Sequence, residues 1–407
     1  MNFILLSKGM KKLIVLSSLF LLINCSNATN GEESNSQTPE NISNELVLGS
    51  DQLDILIPKL KDRRVSLLVN HSALVGKTHL VDTLLSLGIN IVQVFAPEHG
   101  FRGQADAGEK IKDGKDSKTG IQITSLYGST RKPTAEMLEG TDVVIYDIQD
   151  IGIRFFTFIS SMHYVMEACA ENGKKFIVLD RPNPNGSYAD GPIRQDDLKS
   201  FVGMHPIPIV HGLTVGELAE MINGEGWLEG GIKADLEVIK MKNYTHSLEY
   251  PLPTKPSPNL PTDLSIALYP SVCLFEGTTI SVGRGTYDAF QQIGHPTFEG
   301  KYEYSFTPES IDGMAKNPKY LGQACYGIDL RSEKITRVFT LKYLIEFYNA
   351  FENKEEFFNN YIDKLAGTTE LRKQIVEGMS EEEIRATWEP ALGDYKKMKE
   401  KYRLYPQ

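Results

Sequence analysis

The feature of this sequence that most limits its fold is the repeated alternation of short apolar runs with helical patterns. Val65–Val69 and residues 175–179 are apolar almost throughout, as strands buried on both faces should be. Further strand candidates cover residues 91–95, 121–126, 142–146, 207–210 and 236–241. Thr214 is a good N-cap for one of three helical patterns, which cover residues 79–87, 157–171 and 215–222. Repeated strand–helix units predict an α/β fold with a mostly parallel sheet and helices on both faces.

A proline-rich stretch at residues 251–261 interrupts this alternation and predicts a domain boundary. Beyond it, residues 268–286 have the pattern of strands and turns. The end of the chain has three helical patterns, at residues 341–350, at residues 355–365 and at residues 370–402 with a break near Pro390. We therefore predict an α/β domain at residues 47–250, followed by a smaller α+β domain at residues 262–407.

The first 25 residues are typical of an export signal rather than of a folded domain. Three lysines, the last at Lys12, precede an apolar run at residues 13–23 that is too short to span a bilayer comfortably. The run ends in Leu-Ile-Asn-Cys, which resembles a bacterial lipobox with Cys25 as the lipidated residue, although Asn24 replaces the usual small residue. Residues 26–46 follow as a polar tether that cannot bury enough apolar surface to fold. We predict an exported, lipid-anchored protein of the cell envelope, with a plain secretory signal as the alternative.

Charge and cysteine content exclude two further classes of protein. The formal net charge is −10, so no nucleic-acid partner is expected, because phosphate binding needs a basic surface. Beyond Cys25 the sequence has an odd number of cysteines with no zinc-ligand spacing, namely Cys169, Cys273 and Cys325. We predict buried free thiols and no disulfide framework.

Polar side chains collect directly after five of the predicted strands. Because ligands of parallel α/β sheets bind outside the carboxyl ends of the strands, these clusters predict one shared crevice. Helix capping and loop solvation are the alternative, which explains one such cluster more easily than five. The clusters are residues 70–72, 96–103, 147–154, 180–185 and 211–212.

Several well-known active-site motifs are absent from the sequence. It has no GxSxG elbow, no GxGxxG after the first strand, no GxxxxGK[ST] and no HExxH. Sites for a serine hydrolase triad, a dinucleotide, a nucleoside triphosphate or a zincin-type metal are therefore not predicted, and no cofactor is expected. A crevice rich in carboxylates and amides suits a carbohydrate hydrolase, which needs two carboxyl groups beside the glycosidic bond.

Several long motifs occur in the same order as in one protein family. They are VNHSALV from Val69, FAPEHGFRG from Phe95, YDIQDIGIRFFTFI from Tyr146, LDRPNPNG from Leu179, IPIVHGLTVGELA from Ile207, PSPNLP from Pro256 and LYPSVCLFEGTTISVGRGT from Leu268. With Trp388 and residues 402–405, the chain resembles the NamZ-type exo-β-N-acetylmuramidase family from about residue 47 to its end. The resemblance implies a Rossmann-like domain, a smaller C-terminal domain and an active site in the cleft between them. It also implies hydrolysis of non-reducing terminal N-acetylmuramic acid (MurNAc) from MurNAc–GlcNAc chains of peptidoglycan.

Glu98 is the first choice for a catalytic carboxyl group. It follows a predicted strand and lies beside His99. A glutamic acid in a partly apolar crevice suits the general acid of a glycosidase. The alternatives are a helix cap or a salt bridge to Arg102.

The second carboxyl group stays open among three residues. Glu276 lies in the first motif of the second domain, where it could face Glu98 across the cleft. Its rivals, Asp147 and Asp150, lie on a strand-end loop. These two aspartates could instead bind Arg154 or cap the following helix.

MurNAc carries a lactyl carboxylate, which a cationic side chain should bind. Arg284 is the first choice, because a fork-shaped guanidinium pairs bidentately with a carboxylate, and Arg154 and Arg181 are alternatives. Tyr127 is a candidate stacking platform or a core residue. Other polar residues are predicted to contact the sugar or to tie loops together, namely Asn70, His71, His99, Arg102, Gln149, Asp180, Asn183 and His211.

Two other functions fit the same polar residues. One is a cell-wall peptide amidase or esterase, with a metal ion held by Asp147, Asp150 and His211. The other is a lipoprotein that binds muropeptides without turnover. Peptidoglycan fragments are the expected partners in all three cases, together with a membrane through the lipid anchor.

Overall fold

A seven-stranded sheet is the centre of the first part of this computed structural model, which describes residues 45–98, 100–102 and 113–407. Within these residues the strands are β1 (Val65–Val69), β2 (Leu74–Val75), β3 (Thr78–His79), β4 (Ile91–Ala96), β5 (Gly114–Lys115), β6 (Gln122–Ser125), β7 (Val143–Asp147), β8 (Lys175–Leu179), β9 (Asp235–Ile239), β10 (Gln292–His295), β11 (Tyr304–Phe306) and β12 (Cys325–Asp329). The helices are α1 (Leu53–Leu60), α2 (Leu80–Ser86), α3 (Phe158–Glu171), α4 (Val215–Gly224), α5 (Asp263–Val272), α6 (Lys342–Ala350), α7 (Lys354–Phe357), α8 (Tyr361–Ala366), α9 (Glu370–Val376) and α10 (Glu381–Lys399).

Six strands of the large sheet are parallel, in the spatial order β6-β4-β1-β7-β8-β9, and β5 adds an antiparallel edge to β6. Numbered along the chain, the parallel strands follow the order 3-2-1-4-5-6 of Rossmann folds. Every residue of β1 and β7 is buried, as expected for strands covered on both faces. The predicted α/β fold with a mostly parallel sheet is confirmed.

The prediction of a strand at residues 207–210 is wrong. Val210 forms only isolated bridges, one of them with Ile153. The carbonyl of Ile209 accepts a hydrogen bond from the backbone N–H of Arg154 at 2.8 Å. This segment is apolar because it is a loop buried in the main apolar cluster, and not because it belongs to the sheet.

The prediction of strands within residues 268–286 is also wrong, because residues 268–272 complete α5, a 3-10 turn follows at Cys273–Gly277, and the next strand begins at Gln292. Thr262 and Ser265 form a capping box that starts this helix. The aromatic and β-branched side chains at the end of α5 are buried, so tertiary packing overrides their preference for strands.

The long helical pattern at residues 370–402 divides into α9 and α10, but not at Pro390, which lies inside α10. Gly378, with a φ of 80°, follows α9 in the left-handed region that ends helices. Ser380 then caps α10, because its hydroxyl accepts a hydrogen bond from a backbone N–H of the first turn. The pattern at residues 355–365 likewise divides, into α7 and α8. Capping chemistry, rather than apolar spacing, sets the boundary between α9 and α10.

The C-terminal region has a small antiparallel sheet, in the order β10-β12-β11, and helices α5 to α10. One apolar cluster runs through both regions, and it includes Phe176 from the first and Phe275 from the second. The predicted Rossmann-like sheet followed by a smaller α+β part is therefore confirmed, while the exact limits of the two domains stay a prediction. The cysteines of the described residues are free and buried, as predicted.

Arg154 joins the two regions of the chain. Its side chain is fully buried. Nη1 donates hydrogen bonds to the carbonyl oxygens of Pro192 (2.8 Å) and Ile207 (2.6 Å), and Nη2 donates to those of Leu365 (2.9 Å) and Ala366 (2.7 Å). The last two carbonyls belong to the end of α8. One guanidinium therefore fixes a C-terminal helix against loops of the sheet region.

We expect Arg154→Lys to lower the free energy of unfolding by about 2–4 kcal/mol, because one ammonium group cannot reach all four carbonyls and a buried acceptor without a donor costs about 1–3 kcal/mol. Urea denaturation followed by circular dichroism measures this change. Arg331 is the matched control, since it is 45% exposed and pairs with Asp329 and Asp288 at the surface. Arg331→Lys should cost less than about 1 kcal/mol, and equal losses for the two variants would contradict the role given to Arg154.

Candidate active site

A cavity of about 400 Å³ opens beside the carboxyl ends of β4 and β6. Both regions of the chain form its wall, since Glu98 follows β4, Tyr127 follows β6, and Glu276 belongs to the C-terminal region. This edge of a parallel sheet is where α/β folds bind ligands. Further lining residues include Arg131, Thr157, Phe201, Arg284, Tyr361 and Lys364.

Glu98 accepts hydrogen bonds on both of its carboxyl oxygens. The Tyr127 hydroxyl donates to Oε1 at 2.8 Å, and the Thr157 hydroxyl donates to Oε2 at 2.9 Å. Thr157 is the N-cap residue of α3, but its side chain makes no cap bond. Burial, followed by the charge and hydrogen bond of Glu98, raises the pKa of Tyr127, so this phenol stays protonated and remains a donor. Tyr127 was a candidate stacking platform, and the structure gives it the different task of orienting a carboxyl group.

Glu276 lies in the same cavity, on the short 3-10 turn Cys273–Gly277 that directly follows α5. Arg284 pairs with it bidentately, with Nε 2.5 Å from Oε1 and Nη2 3.2 Å from Oε2. Burial alone would raise the pKa of Glu276, but attraction to Arg284 and its hydrogen bonds lower that pKa below the ordinary value. Glu276 is therefore ionised at neutral pH.

Two close contacts fix the turn that carries Glu276. The Lys319 ammonium group donates a hydrogen bond to the carbonyl oxygen of Thr278 at 2.6 Å. Gly277 lies so close to α8 that a Cβ atom would be 2.4 Å from the Cα atom of Ile362, and only glycine permits such an approach. The turn and α8 therefore hold each other in place.

Tyr361, at the start of α8, lies near both candidate carboxyl groups. Burial raises the pKa of its phenol, and its interactions with Cys273, Glu276 and Glu98 raise it further. Glu98, Glu276 and Tyr361 line the same cavity. A glycosidase requires such a pair, because two carboxyl groups must flank the bond that breaks.

The strand ends at the centre of the sheet are occupied by a different network. Asp147 and Arg181 form a buried ion pair, with Nη2 of the arginine 2.8 Å from Oδ2 of the aspartate. Asn70 Oδ1 accepts hydrogen bonds from Ser72, whose hydroxyl accepts one from the backbone N–H of Gln149. Ser72, Gln149 and Arg181 line a separate cavity of about 160 Å³. The structure therefore does not bring the five polar clusters into one crevice, because many of these groups satisfy one another.

Arg154 and Asp180 lie in the core and not in the cavity of Glu98. The four hydrogen bonds that Arg154 donates go to backbone carbonyls. Asp180 accepts hydrogen bonds from the hydroxyls of Thr214 (2.7 Å) and Tyr405 (2.6 Å). Burial raises the pKa of Asp180 to about 6, against the effect of these hydrogen bonds. The hydrogen bonds of both residues thus go to other parts of the protein, and the geometry gives no support to the substrate contacts predicted for them.

Asp150, Asn183 and His211 are likewise buried in loops. Asp150 accepts a hydrogen bond from the backbone N–H of Gly152 at 2.7 Å. Asn183 donates one to the carbonyl of Leu213 at 2.8 Å. His211 Nε2 is 3.5 Å from a carboxylate oxygen of Asp150. These side chains tie loops together, which is the alternative that the sequence leaves open.

Arg102 and His71 also bind other parts of the protein. Arg102 pairs with Asp116 at 2.8 Å and with Asp82 at 3.4 Å. His71 Nε2 is 2.7 Å from the carbonyl oxygen of Lys255. Neither residue lines the cavity that contains Glu98, so their predicted sugar contacts have no support in the geometry.

Two predicted residues, His99 and Cys25, lie outside the described residues, as does the apolar run at residues 13–23. Within the described ranges, no helix combines the length and the apolar character that crossing a bilayer requires. The anchor therefore stays a prediction from sequence.

The metal site of the alternative amidase hypothesis is not assembled. Among the residues that the structure describes, no group of three or more His, Cys, Asp or Glu side chains is placed to hold a metal ion. Of the three proposed ligands, Asp147 already forms an ion pair with Arg181, and Asp150 lies next to His211.

Sequence reasoning missed several residues of the cavity. Thr157 lies inside the motif that begins at Tyr146, and a hydroxyl just before a helix was the signal available there. Four others belong to no quoted motif and come from separate segments that only folding brings together, namely Arg131, Phe201, Tyr361 and Lys364.

Comparison with known proteins agrees with the motifs. A family model described as "Exo-beta-N-acetylmuramidase NamZ, N-terminal" matches residues 65–264, and its C-terminal counterpart matches residues 267–405. The peptidoglycan beta-N-acetylmuramidase NamZ of Bacillus subtilis (strain 168) is 39% identical over 378 residues, which cover 87% of this chain and 90% of that protein.

Two solved structures, both DUF1343 family proteins of Bacteroides fragilis NCTC 9343, have a similar fold. The first has a TM-score of 0.83 at 45% sequence identity, and the match covers 89% of this chain and 99% of the other chain. The second has a TM-score of 0.76 at 29% identity, and the match covers 88% of this chain and 99% of the other chain. Together with the two matched domains, these similarities show that the chain belongs to the NamZ family of exo-β-N-acetylmuramidases.

Proposed function

We propose that this chain is a glycoside hydrolase that releases MurNAc from the non-reducing end of peptidoglycan fragments such as MurNAc–GlcNAc. The observation that carries the proposal is the pair Glu98 and Glu276, which line one cavity in different electrostatic environments. The name of the Bacillus subtilis relative, a peptidoglycan beta-N-acetylmuramidase, supports the choice of substrate.

In this proposal Glu98 acts as the general acid. In its protonated form it transfers a proton to the glycosidic oxygen while the bond from that oxygen to the anomeric carbon breaks, so the departing sugar leaves as a neutral alcohol. A water molecule forms the new bond to the anomeric carbon and gives its proton to a carboxylate of the pair, which completes the released MurNAc. The hydroxyls of Tyr127 and Thr157 then donate hydrogen bonds to the carboxylate that remains. Because both donors are neutral, they orient the group in either protonation state.

Glu276 supplies the second carboxyl group, in its ionised form. A carboxylate in this position stabilises the positive charge that develops at the anomeric carbon in the transition state. Arg284 keeps the group ionised, and Lys319 holds the turn on which it lies. Its rivals Asp147 and Asp150 do not line this cavity.

The cavity fits the removal of one terminal sugar. Its volume of about 400 Å³ is in the range of sites for single small ligands. Tyr361 and Lys364 of α8 form one side of it, so the C-terminal region contributes a wall to the site. A pocket of this size suits an enzyme that acts on chain ends.

We expect Glu98→Gln and Glu276→Gln each to lower kcat by about 10²–10⁴-fold, because an amide can neither donate the acid proton nor carry the negative charge. The measurement is mass analysis of MurNAc released from MurNAc–GlcNAc. Glu389→Gln on α10 is the matched control, since Glu389 is 61% exposed and only pairs with Lys396. Hydrolysis by Glu98→Gln at the parent rate would contradict the assignment, and binding of MurNAc–GlcNAc by the parent without release would favour a binding protein.

We expect Arg284→Gln to move the acid limb of the pH profile of kcat/KM to higher pH. Arg284 lowers the pKa of Glu276, whereas burial raises it, so the carboxylate of the variant takes up its proton earlier as the solution is acidified. Cys273, Lys319 and Tyr361 also face this carboxylate and are unchanged. The profile is measured with a nitrophenyl glycoside of MurNAc. An acid limb that stays in place, or moves to lower pH, would show that the ionised form of Glu276 is not needed.

We also propose that the enzyme works in cell-wall turnover on the outer side of the inner membrane, as a lipoprotein anchored through Cys25. The lysines, the short apolar run and the lipobox-like end of residues 1–25 support this location.

We expect Cys25→Ser to move the protein from the membrane fraction to the soluble fraction, because the thiol that carries the lipid is lost. Ser26→Ala is the control, and a membrane-bound Cys25→Ser variant would contradict the anchor.

A further inference from the structure

Among the described residues, the cavity of Glu98 and Glu276 is lined by more positive than negative side chains. Arg131, Arg284 and Lys364 line it together with the two glutamates, which makes three cations against two carboxylates. The excess grows when Glu98 holds a proton as the general acid. A pocket lined in this way attracts an anionic ligand.

Arg284 cannot account for this attraction. Its Nε and Nη2 groups both bind Glu276, so the carboxylate of Glu276 already neutralises its charge. Arg131 and Lys364 differ, because neither forms an ion pair with any residue that the structure describes. Two cations therefore face the cavity without a carboxylate partner in the described chain.

Arg131 is held in position by an aromatic ring. Its guanidinium carbon lies 4.3 Å from the centroid of the Phe201 ring, a cation–π contact. Burial and Glu98 raise the pKa of Tyr127, and the charge of Arg131 opposes them. Arg131 lines the same cavity as Tyr127, the residue whose hydroxyl binds the proposed general acid.

Lys364 reaches the cavity from the C-terminal region. It lies three residues after Tyr361 on α8, so both side chains are on one face of that helix. Both line the cavity. The two unpaired cations thus come from different regions of the chain, one from the sheet region and one from α8.

We infer that Arg131 and Lys364 bind the lactyl carboxylate of the terminal sugar, and so select MurNAc over GlcNAc, which lacks the lactyl group. This inference rests on the proposed function. Arg131 offers paired N–H donors to a carboxylate, and Lys364 adds a second charge. These residues replace Arg284, the first choice from sequence, because the guanidinium fork of Arg284 is occupied by Glu276.

The test compares four nitrophenyl β-glycosides on the full chain. The first is MurNAc with its free lactyl acid, the second is its lactyl methylamide, and the third is GlcNAc. In the fourth, the lactyl group is amide-linked to L-alanine, which places a carboxylate further out. The parent should prefer the free acid over the other three.

We expect Arg131→Gln and Lys364→Gln each to lower kcat/KM for the free acid by about tenfold, since each removes one charged hydrogen bond. The methylamide and GlcNAc glycosides should lose much less of their kcat/KM, because they offer no carboxylate to the two residues, so the preference for the acid falls. Lys397→Gln and Arg331→Gln are matched controls, because both residues belong to exposed ion pairs.

Equal losses on all four glycosides would overturn the inference, because they would mean that the two residues only shape the pocket. An unchanged preference for the free acid would overturn it as well. A loss confined to the L-alanine derivative would assign the pair to a stem-peptide carboxylate instead.

A binding measurement separates this inference from the proposed function. Calorimetry with free MurNAc and free GlcNAc needs no turnover. Tighter binding of MurNAc by the parent, lost in Arg131→Gln and Lys364→Gln, supports the carboxylate site even if no glycoside is cleaved, in which case only the proposed hydrolysis fails. Equal binding of the two sugars by the parent overturns the inference whatever the rate of cleavage.

Discussion

The hydrogen bonds from the Arg154 guanidinium to four backbone carbonyls are the constraint on which the candidate site depends. They fix the end of α8 against the loops of the sheet region. The other end of α8 packs against the turn of Glu276, where Gly277 allows close contact. Arg154 thus holds the two walls of the cavity together, along with the apolar cluster that the two regions share. Because carbonyls have no net charge, this contact joins the regions without placing another carboxylate near the site.

The two candidate carboxyl groups are held by different kinds of partner, and this difference suits their proposed tasks. Hydroxyl groups bind Glu98, and they tolerate both the acid and the carboxylate. A guanidinium group binds Glu276, and it favours only the carboxylate. Environments that favour different protonation states are how paired carboxyl groups divide acid and electrostatic roles.

The sequence predicted the sheet well because buried parallel strands have few alternatives. Val65–Val69 and the strand at residues 175–179 were predicted with the bounds that the structure has, since both faces of each must be apolar. The site was predicted less well. Asp147 and Arg181 follow neighbouring strands, as active-site residues do, but they neutralise each other. A sequence shows where polar residues lie, and not which of them already have partners.

Because a sequence does not show which residues already have partners, it also did not identify the cations that line the cavity. Arg284 lies in a family motif and has the right chemistry for a carboxylate ligand, but its partner Glu276 lies eight residues earlier in the same motif. Lys364 has the pattern of an ordinary surface lysine until the packing of α8 brings it to the cavity. The motifs therefore contain the two proposed catalytic carboxyl groups, whereas the charges proposed to bind a ligand come from segments outside them. Selectivity can then change at those positions without moving the carboxyl pair.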